Sequence, residues 1–266
     1  MLTHPDFDPV AIRLGPVAIH WYGLMYVIGF FLAHALTKKQ LVERGEWNMR
    51  VSAEHFEGLF TWLILGVILG GRIAYVLFYN LPYYIHHPLH VFYVWEGGMS
   101  FHGGLAGPMV AGWWYCRRHG LPFLMLADCL FTVAPIGLAL GRLGNFINGE
   151  LWGRVTDVPW AMVFSRAGPL PRHPSQLYEM ALEGIALFCL LWFTRKRPWP
   201  EGMRVGVFLV GYAVARIFCE QFRQPDAQLG FLFGPITMGM LLSSVMLVGG
   251  GVWIWYLNRK SRLPDA

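Results

Sequence analysis

Charge is what this chain has least of. Asp, Glu, Lys and Arg make up 14% of its 266 residues, against about 25% in an ordinary soluble domain. With 55% hydrophobic residues, 16% aromatics and a mean hydropathy of +0.43, that scarcity argues against a soluble protein. Cysteine is also sparse. Cys116, Cys129, Cys189 and Cys219 are widely spaced, with no CxxC pair and no zinc spacing, so they read as small buried hydrophobes rather than a metal or disulfide framework. There is no Gly-x-Ser-x-Gly elbow and no pair of metal ligands, which argues against a hydrolase. No cofactor or metal is expected, and no nucleophile belonging to the chain is suggested. The first residues, Met1 to Pro9, carry Asp6 and Asp8 and no basic stretch, so no cleaved signal peptide is expected. There is no internal repeat and no low-complexity tract. The net charge of +5 lacks the interleaved basic and aromatic surface that nucleic acid requires, and no nucleic-acid partner is expected.

What the chain does have is apolar blocks of membrane-spanning length, roughly 20 residues each. Seven candidate spans fall at 17–37, 56–79, 99–116, 123–141, 177–194, 204–223 and 234–257. They predict an all-α polytopic membrane protein, a single integral-membrane domain over 1–266. The connecting segments set the orientation. Lys38, Lys39, Arg44 and Arg50 follow span one, Arg117 and Arg118 follow span three, Arg195, Lys196, Arg197 and Arg204 follow span five, and Arg259, Lys260 and Arg262 close the chain. These are thirteen of the 21 basic residues, all on one side, so the N-terminus is expected outside and the C-terminus in the cytoplasm. The longest outside segment, about 142–175, is rich in Gly, Pro and Trp, yet it holds Arg142, Arg154, Arg166 and Arg172. The positive-inside bias disfavours arginines there, and an external anion would account for them. An ordinary structured loop would also tolerate a few. Gly66 and Gly70 in span two, and Gly249 to Gly251 in span seven, read as close helix packing.

Ionisable groups inside a bilayer are expensive, so each is a functional candidate: Arg72, His102, Arg142, Glu183, Arg216 and Glu220. The stretch Gly141 to Glu150 is the most informative. Its glycines would loosen the helix and let backbone approach a ligand. Arg142 and Asn145 share a helical face, and a guanidinium fork beside an amide suits phosphate. A snorkelling arginine is the alternative. In span six, Tyr212, Arg216, Glu220 and Arg223 form one stripe, with Arg216 and Glu220 placed to pair as a second cation site or as helix–helix glue. His102, in Ser100-Phe101-His102-Gly103-Gly104, can accept a proton near pH 7, with the glycine pair leaving room beside it. A lone His in an apolar region is more often structural. Arg172 to Glu179 reads mainly as a helix start, with Ser175 as cap and Glu179 in the first turn, and weakly as a wall of the site. Trp21 and Tyr22 suit an aromatic belt.

Five strings carry a resemblance: GRLGNFINGELWGR (141–154), SFHGGLAG (100–107), RHPSQLYE (172–179), IHWYGLMY (19–26) and GYAVARIFCEQFRQPD (211–226). Together they resemble the prolipoprotein diacylglyceryl transferases, in family order and across nearly the whole chain. The resemblance implies seven transmembrane helices in the cell inner membrane, a small periplasmic head at 142–175, phosphatidylglycerol as lipid donor and the lipobox cysteine of prolipoprotein signal peptides as acceptor. It implies a thioether product and release of glycerol 1-phosphate, the first step of lipoprotein maturation. Arg142 and Arg216 map onto essential positions. Tyr22, His102, Asn145, Glu150, Gly153, Tyr212 and Glu220 map onto supporting ones. On that basis Arg142 and Arg216 would clamp the leaving phosphate and His102 would be the base, although an arginine-lowered thiol pKa would make a base unnecessary. One chain holds every mapped residue, so a monomer in membrane lipid is expected. A channel or lipid carrier lined with arginines and a structural scaffold are the rival classes.

Overall fold

The structure is a computed structural model and describes residues 2–15, 17–225 and 236–262. Asp226 and the first two residues of the expected seventh span lie outside the described residues. Besides short 3-10 turns, the described residues form eight helices in chain order: α1 (Trp21–Glu43), α2 (Ala53–Phe78), α3 (Leu81–His86), α4 (Phe101–His119), α5 (Phe123–Ile147), α6 (Ser175–Thr194), α7 (Met203–Glu220) and α8 (Met238–Lys260). Four of them, α2, α5, α6 and α8, are long and apolar enough to cross a membrane. Outward side chains such as Ile73, Phe193, Val245 and Val248 are exposed, as a hydrocarbon solvent permits.

The all-α expectation misses two small sheets. β1 (Leu2–Thr3) pairs in parallel with β4 (Met162–Val163), and β2 (Val10–Leu14) pairs antiparallel with β3 (Val17–His20). Residues 17–20, expected to open the first span, are therefore strand. Alternation in Val17-Ala18-Ile19-His20 is too short to be separated from the apolar helix that follows.

The chain divides into two compact units, residues 1–40 with 127–266, and residues 41–126. In the second unit, α2 lies directly against α4. A Cβ on Gly66 would meet the Pro108 backbone at 2.8 Å, and one on Gly70 would meet the Gly103 carbonyl. The expected glycine packing is therefore backbone against backbone, and it uses Gly103 as well. The room expected beside His102 is filled at Gly103 by α2. Gly70→Leu is expected to destabilise the protein by about 1–3 kcal/mol through overpacking, read as a lower thermal unfolding midpoint in detergent. Arg72, a candidate site residue, is buried in the same unit and donates to the carbonyls of Val91 (2.8 Å), Gly98 (3.1 Å), Gly97 and His90. It ties down the 88–98 segment, and its donors are spent on backbone.

In the first unit, Leu187 and Leu191 of α6 and Phe208 of α7 form a buried core with Phe131 and Leu138 of α5 packed against it. α6 and α5 approach closely because Gly184 faces Ala139, where a Cβ would come within 2.8 Å of the Ala139 Cα. Of Gly249 to Gly251 in α8, only Gly250 is packed, 2.9 Å from the Leu209 Cβ by the same measure, while Gly249 and Gly251 meet nothing within 4 Å. Asp128, fully buried, accepts from the backbone N–H of Gly202 (2.9 Å) and Val205 (3.1 Å) at the start of α7. Arg204 lies 3.6 Å from the same carboxylate and donates to the carbonyls of Arg195 and Arg197 at the end of α6. Arg204, counted above among the loop cations, is a 1% exposed structural clasp.

Candidate active site

α6 changes pitch midway. Ser175–Glu179 and Leu187–Thr194 are α-helical, while Met180–Ala186 between them is a π segment, a distortion that clusters at functional sites. The segment carries Glu183, and Glu179 stands at its edge. Both carboxylates point inward, 0% and 1% exposed respectively, where an unpaired charge would be strongly unfavourable.

Their partners come from the neighbouring helices. Arg142, near the end of α5, places Nε 2.7 Å from Glu179 Oε2 and one Nη 3.7 Å from Glu183 Oε2. Arg216, on α7, places Nη1 2.7 Å from that same Glu179 oxygen, 3.4 Å from Glu183 Oε1, and Nη2 3.0 Å from Glu220 Oε2. One carboxylate oxygen thus holds two guanidinium groups side by side. Arg216 and Glu220 pair as their spacing predicts. Arg223 approaches Glu220 at 3.6 Å, and the Thr237 hydroxyl donates to it at 3.0 Å. Three arginines and three glutamates give a cluster of zero net charge. The Arg142 side chain is its more accessible cation, 21% exposed against 10% for Arg216, so an anion entering the cluster meets Arg142 first.

Around this cluster stand the other predicted residues of the first unit. α5 does not loosen at Gly141 but continues to Ile147. Asn145 donates its amide to Glu150 Oε1 at 2.9 Å, and Asn148 donates to the same oxygen at 3.2 Å. The Glu150 carbonyl accepts from Gln176 at 2.7 Å, at the base of α6. Tyr22 lies against Gly144, where a Cβ would come 2.8 Å from its ring, and its hydroxyl is 3.3 Å from that of Tyr26. Tyr212 stacks on Phe208 with centroids 5.9 Å apart, one turn before Arg216. Gly153 donates its N–H to the His173 carbonyl at 2.9 Å, and a Cβ there would sit 2.6 Å from the carbonyls of His173 and Phe222. Gly153→Ala is accordingly expected to push apart the segments around His173 and Phe222 and lower turnover several-fold, measured as initial rates on purified protein. His102 sits in the first turn of α4, exposed, in the second unit.

Three sequence readings need correction. Glu179 is not simply a helix-start residue, and Ser175 does not cap α6: its hydroxyl donates to the Leu151 carbonyl at 3.1 Å. Arg154 is tied to the protein's own backbone, donating to the carbonyls of Arg223 (2.9 Å) and Glu220 (3.3 Å). Arg172 donates to the Gly153 carbonyl at 3.3 Å and to Gln224 at 3.4 Å. These two arginines build the 148–174 loops. Beside them, burial holds the His173 imidazole below its ordinary range, so it is neutral at pH 7 where it meets the Tyr178 hydroxyl at 3.1 Å. Sequence reasoning gave Glu179 only a weak place in the wall of the site and left Tyr26 out; for Glu179 the signal available was its spacing of four from Glu183 in an otherwise apolar helix.

Four helices long and apolar enough to cross a membrane, together with a buried arginine–glutamate cluster, define a multi-pass helical membrane protein. Comparison with known proteins sharpens that class. The sequence matches the family "Prolipoprotein diacylglyceryl transferase" over residues 9–256. It is 51% identical over 261 residues, 97% of this chain and 100% of the relative, to a phosphatidylglycerol–prolipoprotein diacylglyceryl transferase of Legionella pneumophila (strain Paris). It is 50% identical over 268 residues, the full length of both chains, to the protein of the same name from Pseudomonas aeruginosa (strain LESB58). The chain belongs to the prolipoprotein diacylglyceryl transferase family.

Proposed function

We propose that the protein transfers the diacylglyceryl group of phosphatidylglycerol to the lipobox cysteine thiol of prolipoproteins, the first step of lipoprotein maturation. Family membership over nearly the whole chain supports the activity. The observation that carries the mechanism is the pair of guanidinium groups held on one oxygen of Glu179, each 2.7 Å away.

The substrate thiolate attacks the glycerol carbon of the lipid, a C–S bond forms, and the C–O bond to phosphate breaks. The electron pair goes to the phosphate oxygen, and glycerol 1-phosphate departs. Charge grows on that oxygen in the transition state, which is where preoriented cations lower the barrier. Arg142 receives the phosphate and Arg216 stands behind it, with Glu179, Glu183 and Glu220 fixing both forks. Asn145 and Glu150 present an amide and a carboxylate three to eight residues along from Arg142, and Tyr22, Gly153 and Tyr212 shape the walls. The thiol, with an ordinary pKa of about 8.5, must lose its proton; His102 takes that role, a reading that rests on its place in the SFHGGLAG string. No resident metal or cofactor enters the step.

The chain is one integral domain of the inner membrane, over 1–266, with seven spans, a periplasmic N-terminus and head (142–175) and a cytoplasmic C-terminus, working as a monomer. The lipid-borne donor and the secreted acceptor both support an outward-facing site. The test uses purified protein with phosphatidylglycerol and a lipobox peptide. Release of glycerol phosphate together with a diacylglyceryl mass gain on the peptide, both absent with a Cys→Ser peptide, is the expected result. Movement of a phosphate-bearing solute across a membrane with no covalent product would favour a carrier instead.

A further inference from the structure

We propose that His4 is a positioning residue for this transfer, acting through the last turn of α5 on the Asn145–Glu150 pair. The inference rests on the transferase reading above. His4 is 4% exposed although it lies four residues into the chain. Its Nε2 lies 2.7 Å from the carbonyl oxygen of Phe146. A carbonyl only accepts, so Nε2 carries the proton and donates. The ring is stacked on Phe164 with centroids 5.0 Å apart and meets the Phe146 ring edge-on at 4.9 Å. The backbone is fixed as well, since the His4 N–H donates to the Val163 carbonyl at 2.9 Å, extending the β1–β4 pairing.

The carbonyl that His4 binds has a particular place. A helix leaves its last carbonyls without helical partners. Phe146 O accepts from the Gly149 N–H at 2.9 Å, and Gly149 has φ +62°, the left-handed residue that commonly ends a helix. His4 supplies the second donor to that oxygen, and its ring covers Gly149, where a Cβ would lie 3.5 Å from it. The stop of α5 is thereby fixed on both sides. On the adjoining residue, Asn145 O accepts from the Glu150 N–H at 3.0 Å while its side-chain amide holds the Glu150 carboxylate at 2.9 Å. That closed loop forms only if the helix stops where it does, and Arg142 stands one turn earlier. His4 therefore sets the registry of the amide and carboxylate relative to the phosphate-binding arginine.

The experiment measures kcat and KM of diacylglyceryl transfer, with thermal midpoints, for wild type, His4→Leu and His4→Gln. Leu fills the space without a donor, and Gln places an amide N–H where Nε2 stood. Loss of one positioning hydrogen bond predicts a kcat about tenfold lower for His4→Leu, with KM for the lipid unchanged, the midpoint lowered by only a few degrees, and His4→Gln restored to near the wild-type kcat. Wild-type kcat in His4→Leu, equal impairment of both variants, or a loss that only follows a lowered midpoint would each overturn the role. Absence of transfer by the folded wild type would instead overturn the transferase reading on which it rests.

Discussion

Arg142→Ala is expected to lower turnover about 10²–10³-fold at saturating lipid, the effect of removing one preoriented donor from a developing oxyanion, about 2.7–4 kcal/mol. The structure separates this catalytic loss from unfolding. Arg216 reaches both Glu179 and Glu183 on its own, at 2.7 and 3.4 Å, so both buried carboxylates keep a cation when Arg142 is removed. The thermal midpoint should fall far less than the rate. Arg142→Lys should recover only part of the loss, because an ammonium cannot hold Glu179 and a phosphate with the geometry of a planar fork. Initial rates against lipid concentration, with midpoints on the same samples, check both statements. A rate within threefold of wild type would remove Arg142 from the chemistry.

Glu179→Gln has the opposite balance. The side chain keeps its shape, so packing is preserved, but the oxygen between the two guanidinium groups loses its charge. Arg142 and Arg216 then face each other with Glu183 as the carboxylate they share, in surroundings where Glu183 itself is 0% exposed. Breaking a buried ion pair by removing one partner typically costs about 3–5 kcal/mol. The expected result is a marked drop in thermal midpoint in detergent, together with lost activity. The partial exposure of Arg142, 21% of its side chain, places the cost toward the lower end. An unchanged midpoint would mean that Glu183 and Glu220 suffice to hold the pair.

Those two arginines were legible in the sequence because a charge in an apolar block is conspicuous. The Arg216–Glu220 pair was legible because it is local, four residues along one helix. Glu183 was legible for the same reason as the arginines, as an acid in an apolar block, but its role in bringing the two arginines together was not, and Glu179 was read mainly as a helix start. Glu179 sits where a helix start explains an acidic residue by itself, and nothing local marks the π segment that turns Glu183 inward. The loop arginines misled for the same reason in reverse. Arg154 reaches the carbonyls of Glu220 and Arg223, partners more than sixty residues away in sequence, and a one-dimensional pattern cannot distinguish an arginine bound to backbone from one open to an anion. Arg204 likewise passes for a solvated loop cation until Asp128 is placed beside it. Helix starts were legible to within four residues from hydropathy alone, but α1 and α5 run six residues past their expected ends, and the strand at Val17–His20 was absorbed into the apolar run it leads into.

The central claim is that the arginine pair stabilises charge on the departing phosphate. The most direct measurement compares wild type and Arg142→Ala with two diacylglyceryl donors, phosphatidylglycerol and an arenesulfonate ester of diacylglycerol whose leaving group needs little stabilisation. The deficit of Arg142→Ala should be about 10²–10³-fold with phosphatidylglycerol and should largely vanish with the sulfonate. An equal deficit with both donors would contradict the account and assign Arg142 to holding the protein or the acceptor rather than the leaving phosphate.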